Sequence, residues 1–409
     1  MIKVLVHASE ILTGSGVRLK DGRKVGEEDL GRIEDGAVVY SVKRRGKKEI
    51  PDRIEWVGKT SELPKSWVKL KKTDLKGERA IVPGLVDCHN HLIFSGSRAN
   101  EFSARCAGAT YEQIAQQGGG ILSTVRSTRM ATERELEQLA TQRLAQLFAQ
   151  GVRTVEIKSG YGLSSESELK ILKVIPRLRK RFPEMTLRAT FLGAHAFPPD
   201  QTRASYVREI VEVMLPQVSQ QGLADSCDVF IDSGYFTLSE GRKILTKAQK
   251  LGLKIKVHAD ELSRTDASVL AAQMGALSAD HLLQISQRGI EALAGSQTVA
   301  VLLPGTAFFL QRPQAPARKL IDAGACVAIA TDFNPGTCFC LSLPAILTIA
   351  ALQLGLSSAE LFAAVTYNAA KALGLEQSKG TIEPGRDADF WVMPFTCFEE
   401  VYYRLAWAF

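Results

Sequence analysis

Nowhere in these 409 residues is there an apolar run long enough to cross a membrane as a helix. The opening stretch, M-I-K-V-L-V-H-A-S-E, is interrupted by His7 and Glu10 before a secretory core can form, so the chain reads as cytoplasmic. Internal repeats and low-complexity tracts are absent, as is any C-x-x-C pair among the seven cysteines. An odd number of unpaired, scattered cysteines fits reduced thiols rather than a disulfide framework. Cys88, Cys227 and Cys326 fall in or beside apolar strand-like runs and are expected in the core, whereas Cys338 and Cys340 carry no assigned role. The formal charge of +7 is concentrated in K-R-R-G-K-K at 43–48 and K-L-K-K-T-D-L-K at 69–76, without a nucleic-acid recognition motif or interleaved aromatics. Such runs are expected to be solvated surface, and their field favours an anionic small molecule over nucleic acid.

What is present is enough apolar material, 45% of residues, for one large core and a smaller satellite. Residues 1–80 alternate short strands (I-K-V-L-V, G-A-V-V-Y-S-V, I-E-W-V-G) with Gly-, Asp- and Lys-rich joins, the pattern of a small β domain. From Ile81 the rhythm changes to apolar strand followed by helix. The strands are P-G-L-V-D, then segments at 154–158, 186–192, 227–232, 253–258, 277–281, 298–303 and 327–332, with helical stretches such as E-L-E-Q-L-A-T-Q-R-L between them. Eight strands alternating with helices predict an α/β fold, a TIM-like (β/α)8 barrel spanning 81–372. After a helix over S-A-E-L-F-A-A-V-T-Y-N-A-A-K-A-L-G, residues 373–409 return to β-like sequence, including K-G-T-I-E-P-G-R-D-A-D-F-W-V-M, and are expected to complete the N-terminal β domain.

Five of the six histidines stand at or just past strand ends: His89, His91, His195, His258 and His281. Asp332 closes the last strand in the same way. Catalytic groups of parallel α/β barrels occupy that position. His89 and His91, two apart, face one side of an extended chain while Asn90 faces away. Joined by His258 and Asp332 they supply three nitrogens and a carboxylate oxygen, a set suited to zinc or iron with a position open for water. Asp87 is a candidate partner for a ligand imidazole. Glu261, three residues beyond His258, is placed to move protons without being a ligand, and His281 to orient the attacking water or polarise a carbonyl. Arg98, in F-S-G-S-R-A-N-E-F, offers a guanidinium fork for a carboxylate. Tyr161 sits in a Gly-flanked loop, and Asn334, Gly336 and Thr337 offer amide, backbone and hydroxyl groups on a Pro-Gly turn.

These segments together resemble the amidohydrolase superfamily, and within it the enzymes that open an imidazolone ring in histidine degradation. The resemblance runs from Ile81 onward; the first 80 residues match poorly. It is carried by H-N-H-L-I-F-S-G-S-R-A-N-E-F, G-A-T-Y, E-I-K-S-G-Y-G-L, F-L-G-A-H-A-F-P-P, H-A-D-E-L-S-R, S-A-D-H-L, P-A-R-K-L-I-D-A-G and A-T-D-F-N-P-G-T. Asn90 departs from the threonine expected between the two histidines and, facing away, should matter little. The resemblance implies one zinc or iron ion on His89, His91, His258 and Asp332, with Glu261, His281 and Asp332 catalytic. It further implies substrate contacts from Arg98, Tyr161, His195, Glu261, Asn334, Gly336 and Thr337. The implied reaction hydrolyses the ring amide C–N bond of 4-imidazolone-5-propanoate to N-formimidoyl-L-glutamate, with no nucleic-acid or membrane partner and with a homodimer compatible. A superfamily deaminase of a nucleobase-like ring would need no carboxylate clamp, and a non-catalytic barrel scaffold would be expected to have lost some of these residues. Lys158 also ends a strand, where some relatives use a lysine to bridge two metals; the H-A-D-E segment favours one.

Overall fold

The computed structural model describes residues 1–46, 48–109 and 119–405. Its N-terminal part contributes β1 (Ile2–Leu12), β2 (Arg32–Arg45), β3 (Lys48–Lys59), β4 (Lys72–Asp74) and β5 (Ile81–Pro83) to one sheet. Antiparallel β1, β2 and β3 form its body, and the short β4 and β5 run parallel to β1. Alternation along β1 sends Leu5, Ala8 and Ile11 to one apolar cluster and Val4 and Val6 to another, so both faces are covered. At the β2–β3 tip Lys43 pairs with Asp52 at 2.7 Å and Lys48 with Glu184 at 2.9 Å, which places part of the basic run in ordinary surface ion pairs.

Gly84 carries the chain from this sheet into the barrel, where a Cβ would lie 2.6 Å from the Asp389 carboxylate and 2.7 Å from Arg153. The barrel strands are β6 (Leu85–Asp87), β7 (Val152–Lys158), β8 (Thr186–Ala194), β9 (Ser226–Ile231), β10 (Lys254–Ala259), β11 (Ser278–His281), β12 (Val299–Leu302) and β13 (Val327–Ile329). Each is parallel to its neighbour in chain order, as the alternating pattern requires. β9, β11, β12 and β13 are buried along their whole length because helices cover the outside and side chains fill the inside. Each fully buried Val, Leu or Ile contributes about 1.5 to 3 kcal/mol, so the interior dominates the stability of this part. The intervening helices start where the sequence supplies reciprocal caps: Thr132 with Glu135, Thr237 with Glu240 and Ser357 with Glu360.

β14 (Phe390–Val392) returns antiparallel to β5, so the N- and C-terminal segments do share one sheet. Among the described residues of the tail expected to be β-like, only these three form a strand, because Pro384 lacks a donor and Gly385 turns with φ 84°. The single helix expected over 358–374 is two, Ser358–Val365 and Tyr367–Lys371. Thr366 breaks it at φ −121°, ψ −96°, its hydroxyl donating back to the Phe362 carbonyl at 2.6 Å.

β6 and β13 are too short to pair with each other, and the barrel is drawn together just above them. Asp332 N–H donates to the His89 carbonyl and His91 N–H to the Phe333 carbonyl, both at 3.0 Å. Asp87 accepts from the Thr331 amide at 3.0 Å and hydroxyl at 2.7 Å, and from Asn90 Nδ2 at 2.7 Å. Two expectations change here. Asp87 is spent on the seam between the first and last strands and not on an imidazole. Asn90 does face away from the histidines, but it also reaches Thr331 Oγ1 at 3.2 Å and belongs to that seam.

Candidate active site

The seam delivers the candidate residues to one place. His89 and His91 follow β6, His258 lies within β10, His281 ends β11, and Asp332 stands three residues past β13. His281 and Asp332 adopt φ of 77° and 47°, a left-handed conformation that costs non-glycine residues about 1 to 3 kcal/mol and turns both side chains out of the strand alternation. The Nε2 atoms of His89 and His91 face each other at 3.3 Å, and Asp332 Oδ1 lies 3.5 Å from each. Donor atoms of His89, His91 and His258 lie within 4.8 Å of one another, and so do those of His89, His281 and Asp332. Thr306 Oγ1 donates to Asp332 Oδ2, which leaves Oδ1 for the imidazole side.

Whether these residues fit a metal ion is decided by their unmet hydrogen bonds. His258 Nε2 has no hydrogen-bond partner, whereas its Nδ1 lies 3.0 Å from Asp228 Oδ2. Orphaned buried nitrogens are costly in a native protein and call for an occupant. Burial, reinforced by Lys158 and the neighbouring histidines, holds His89 well below the usual imidazole range. His91 and His281 are likewise depressed, by burial first, so all three stay neutral, the ligand form. Three imidazole nitrogens and one carboxylate oxygen, closely spaced and poorly satisfied among themselves, suit one divalent ion.

The carboxyl of Asp332 is pushed up to about 6, by burial first, against the pull of the Thr306 hydroxyl and His258. Below that pH an arriving ion must displace a proton from it, whereas above it the carboxylate is already ionised. Zinc affinity should therefore fall by about tenfold per pH unit as the pH drops below about 6, and level off on this account above it. Chelator competition between pH 5 and 8 checks this, and affinity that is flat across the range contradicts it.

Two carboxylates that sequence reasoning passed over orient the imidazoles: Asp280 Oδ2 lies 2.6 Å from His89 Nδ1, and Asp228 Oδ2 faces His258. Their signal was an acidic residue inside an otherwise apolar strand, visible in C-D-V-F-I-D and S-A-D-H. Glu261 Oε1 lies 3.5 Å from His281 Nδ1, and its backbone N–H is held by Asp232 at 3.0 Å. Burial, then the charges of Asp332 and Asp232, raise the Glu261 carboxyl well above its ordinary range.

His195 stacks on His91, with ring centroids 5.1 Å apart and planes at 17°, and its Nδ1 lies 3.0 Å from the Gly160 carbonyl. Gly160 has φ 115°, and a Cβ there would sit 2.8 Å from that nitrogen, so only glycine permits this approach. Tyr161 is buried against His91, His195 and Phe94. Burial and then Asp332 raise its phenol, while Arg98 and Arg143 act in the opposite sense. Arg98 Nε pairs with Glu101 Oε2 at 2.8 Å, and the guanidinium lies directly over Gly336, where any Cβ would collide with it. The Asn334 side chain is consumed by its own turn: Oδ1 accepts from the Gly336 and Thr337 amides at 2.9 and 2.7 Å, and Nδ2 donates to the Asp332 carbonyl at 2.7 Å. Thr337 Oγ1 lies 2.9 Å from that same Nδ2. The amide, backbone and hydroxyl groups expected to be offered by this turn are bonded to one another within it. Thr110 and Tyr111 of the G-A-T-Y segment lie outside the described residues. Cys88, Cys227, Cys326 and Cys338 are buried free thiols, and Cys340 is half-buried. No described helix is long and apolar enough to cross a membrane.

The profile of the amidohydrolase family matches residues 80–400. An imidazolonepropionase of Symbiobacterium thermophilum is 45% identical over 394 residues, covering 94% of this chain and 89% of its own. One from Clostridium tetani is 41% identical over 405 residues, covering 98% and 94%. The first 80 residues, which matched poorly by motif, are thus largely included in these alignments. Among solved structures, a Xaa-Pro dipeptidase with bound methionine superposes with a TM-score of 0.69 at 16% identity, over 98% of this chain and 96% of that one. An adenosine deaminase from Xanthomonas campestris with bound zinc gives 0.67 at 17%, over 96% and 84%. At such identities the two structures establish the barrel architecture and nothing of the substrate. The chain belongs to the amidohydrolase family and, within it, to the imidazolonepropionases.

Proposed function

We propose that this hydrolase adds water across the ring amide C–N bond of 4-imidazolone-5-propanoate and releases N-formimidoyl-L-glutamate. The observation that carries the reading is the joint placement, in a chain 45% identical to an imidazolonepropionase, of a nitrogen-rich ion site and a guanidinium poised over Gly336. His89, His91, His258 and Asp332 would hold the ion, for which zinc and iron are both suited. When bound, it supplies Lewis-acid chemistry, polarising the ring carbonyl and bringing the pKa of a water down from about 16 towards 7. Asp332, anchored at Oδ2 by Thr306, takes a proton from the attacking water, and His281 orients that water toward the carbonyl carbon. Glu261, whose carboxyl burial shifts toward the protonated form, delivers a proton to the ring nitrogen as the C–N bond opens. His195 and Tyr161 line the ring's berth. One ion is favoured over two, because Lys158 is fully buried with its ammonium engaged by Asp228 and Glu156 and is not free to bridge metals. A cytoplasmic site of action and a homodimer belong to the same reading.

The propanoate is assigned to Arg98. A guanidinium binds a carboxylate through two parallel N–H donors, which an ammonium cannot reproduce. Arg98→Lys is expected to weaken binding of 4-imidazolone-5-propanoate by about 1 to 3 kcal/mol with metal content unchanged. The check is a comparison of KM on this substrate and on an imidazolone lacking the side chain. A variant that discriminates between the two as the wild type does removes Arg98 from the carboxylate. Release of ammonia from cytosine, adenosine or guanine by the wild-type protein would overturn the ring-opening reading itself.

A further inference from the structure

Beneath the imidazoles, five ionisable side chains fill the barrel interior: Glu156 and Lys158 from β7, Asp228 from β9, Lys256 from β10 and Asp280 from β11. None is more than 1% exposed. Removing a charge from water costs several kcal/mol even after relaxation, and well-packed apolar residues would stabilise a barrel at least as well. The layer therefore calls for a purpose other than stability.

Its connectivity points to one. Lys256 Nζ lies 2.7 Å from Glu156 Oε2 and 2.8 Å from the Cys88 carbonyl, which ties Glu156 to the backbone just before His89. Lys158 Nζ shares that Glu156 oxygen at 3.0 Å and lies 3.7 Å from Asp280 Oδ2, which Lys256 Nζ approaches at 3.8 Å, but it alone reaches Asp228 Oδ2, at 2.6 Å. The same two aspartate oxygens face the imidazoles, Asp228 Oδ2 at 3.0 Å from His258 Nδ1 and Asp280 Oδ2 at 2.6 Å from His89 Nδ1. One ammonium thus touches both carboxylates that back the imidazoles of two different strands. Three carboxyl groups stand against two ammoniums in this layer beneath the imidazoles.

We propose that Lys158 is a positioning residue of the metal centre. By pinning Asp228 and Asp280 it orients the Nδ1 atoms of His258 and His89 downward, so that both rings present Nε2 to the ion. The inference rests on the reading of His89 and His258 as ligands and adds to it a residue that touches neither ion nor substrate. Histidine ligands whose carboxylate partners are lost typically bind metal 10- to 100-fold more weakly.

The test is zinc affinity, measured by chelator competition on metal-depleted protein, for Lys158→Met, which keeps most of the side chain's volume and removes the charge. Affinity about 10- to 100-fold weaker is expected, with circular dichroism and the melting temperature of the metal-depleted protein showing a folded barrel. The double variant Glu156→Gln, Lys158→Met removes one carboxyl and one ammonium, so it keeps the excess of one carboxyl group and carries the test alone if the single variant does not fold. Glu156 accepts from Thr190 and Lys256, and its carboxylate comes within 4.8 Å of a His89 nitrogen without an ion pair to it. If Lys158 served only to neutralise buried carboxylates, the double variant would bind zinc as the wild type does, whereas a positioning role leaves it weakened. Wild-type affinity in either folded variant overturns the proposal. Should His258→Ala also bind zinc fully, it is the ligand assignment that has failed; if His258→Ala loses zinc while the Lys158 variants keep it, only the positioning role has.

Discussion

Replacing His258 with alanine is expected to empty the metal site and to lower turnover by at least roughly a thousandfold, because several kcal/mol of Lewis-acid stabilisation leave with the ion. The argument is geometric. His258 reaches the site from β10, on the other side of the barrel from the seam that supplies His89, His91 and Asp332. Without it the remaining donors lie along one wall, and an ion held there would lack a ligand from the opposite direction. The variant should still fold. His258 is buried, and its polar contact is Nδ1 at 3.0 Å from Asp228 Oδ2, a carboxylate that Lys158 still holds at 2.6 Å in the variant. The destabilisation is that of a modest cavity, about 1 to 3 kcal/mol. Metal analysis of the purified variant beside its circular dichroism spectrum decides the matter, and a folded protein with full metal occupancy refutes the ligand assignment.

The second large effect is expected from Glu261→Gln, which should retain metal while losing about a hundredfold or more in turnover, the usual scale for removing a proton-transfer group. Glutamine keeps the shape and the loop: the contact that holds this position is the backbone N–H of residue 261 on Asp232, and the substitution leaves it intact. What it removes is a titrating proton. Burial and the neighbouring carboxylates raise the Glu261 carboxyl well above its ordinary range, which favours the protonated form that a departing ring nitrogen needs. Turnover that depends on it should decline as the pH rises through the elevated pKa of Glu261, and Glu261→Gln should abolish that limb of the pH profile. Loss of metal in proportion to loss of activity would instead make Glu261 a ligand.

Much of this centre is legible along the chain. An apolar, β-branched run ending in a polar residue is a local signal, and it recurs at His89, His195, His258, His281 and Asp332. With helical segments between, it requires a parallel barrel and puts those residues at its C-terminal mouth. What the periodicity could not provide was pairing. The carboxylates nearest in sequence are natural guesses for imidazole partners, so Asp87 looked suited to His89. The partner is Asp280, 191 positions away, while Asp87 serves Thr331, 244 positions away. The stagger between strands selects these contacts, and no two-residue repeat encodes it.

The same holds for the lysines and for the substrate side of the mouth. Lys158 is read from sequence as a strand-end residue, yet only the barrel's closed geometry brings Asp228 and Asp280 to its ammonium. Asn334 has the composition of a ligand-binding turn, but its short side chain meets the amides of Gly336 and Thr337 first and is used up there. The sequence by itself therefore determined the fold class and the strand-end residues offered to an ion, because both follow from spacing within single segments. Tertiary structure decided which charges face one another, because in a closed barrel the inward side chains of strands far apart in sequence share one small interior.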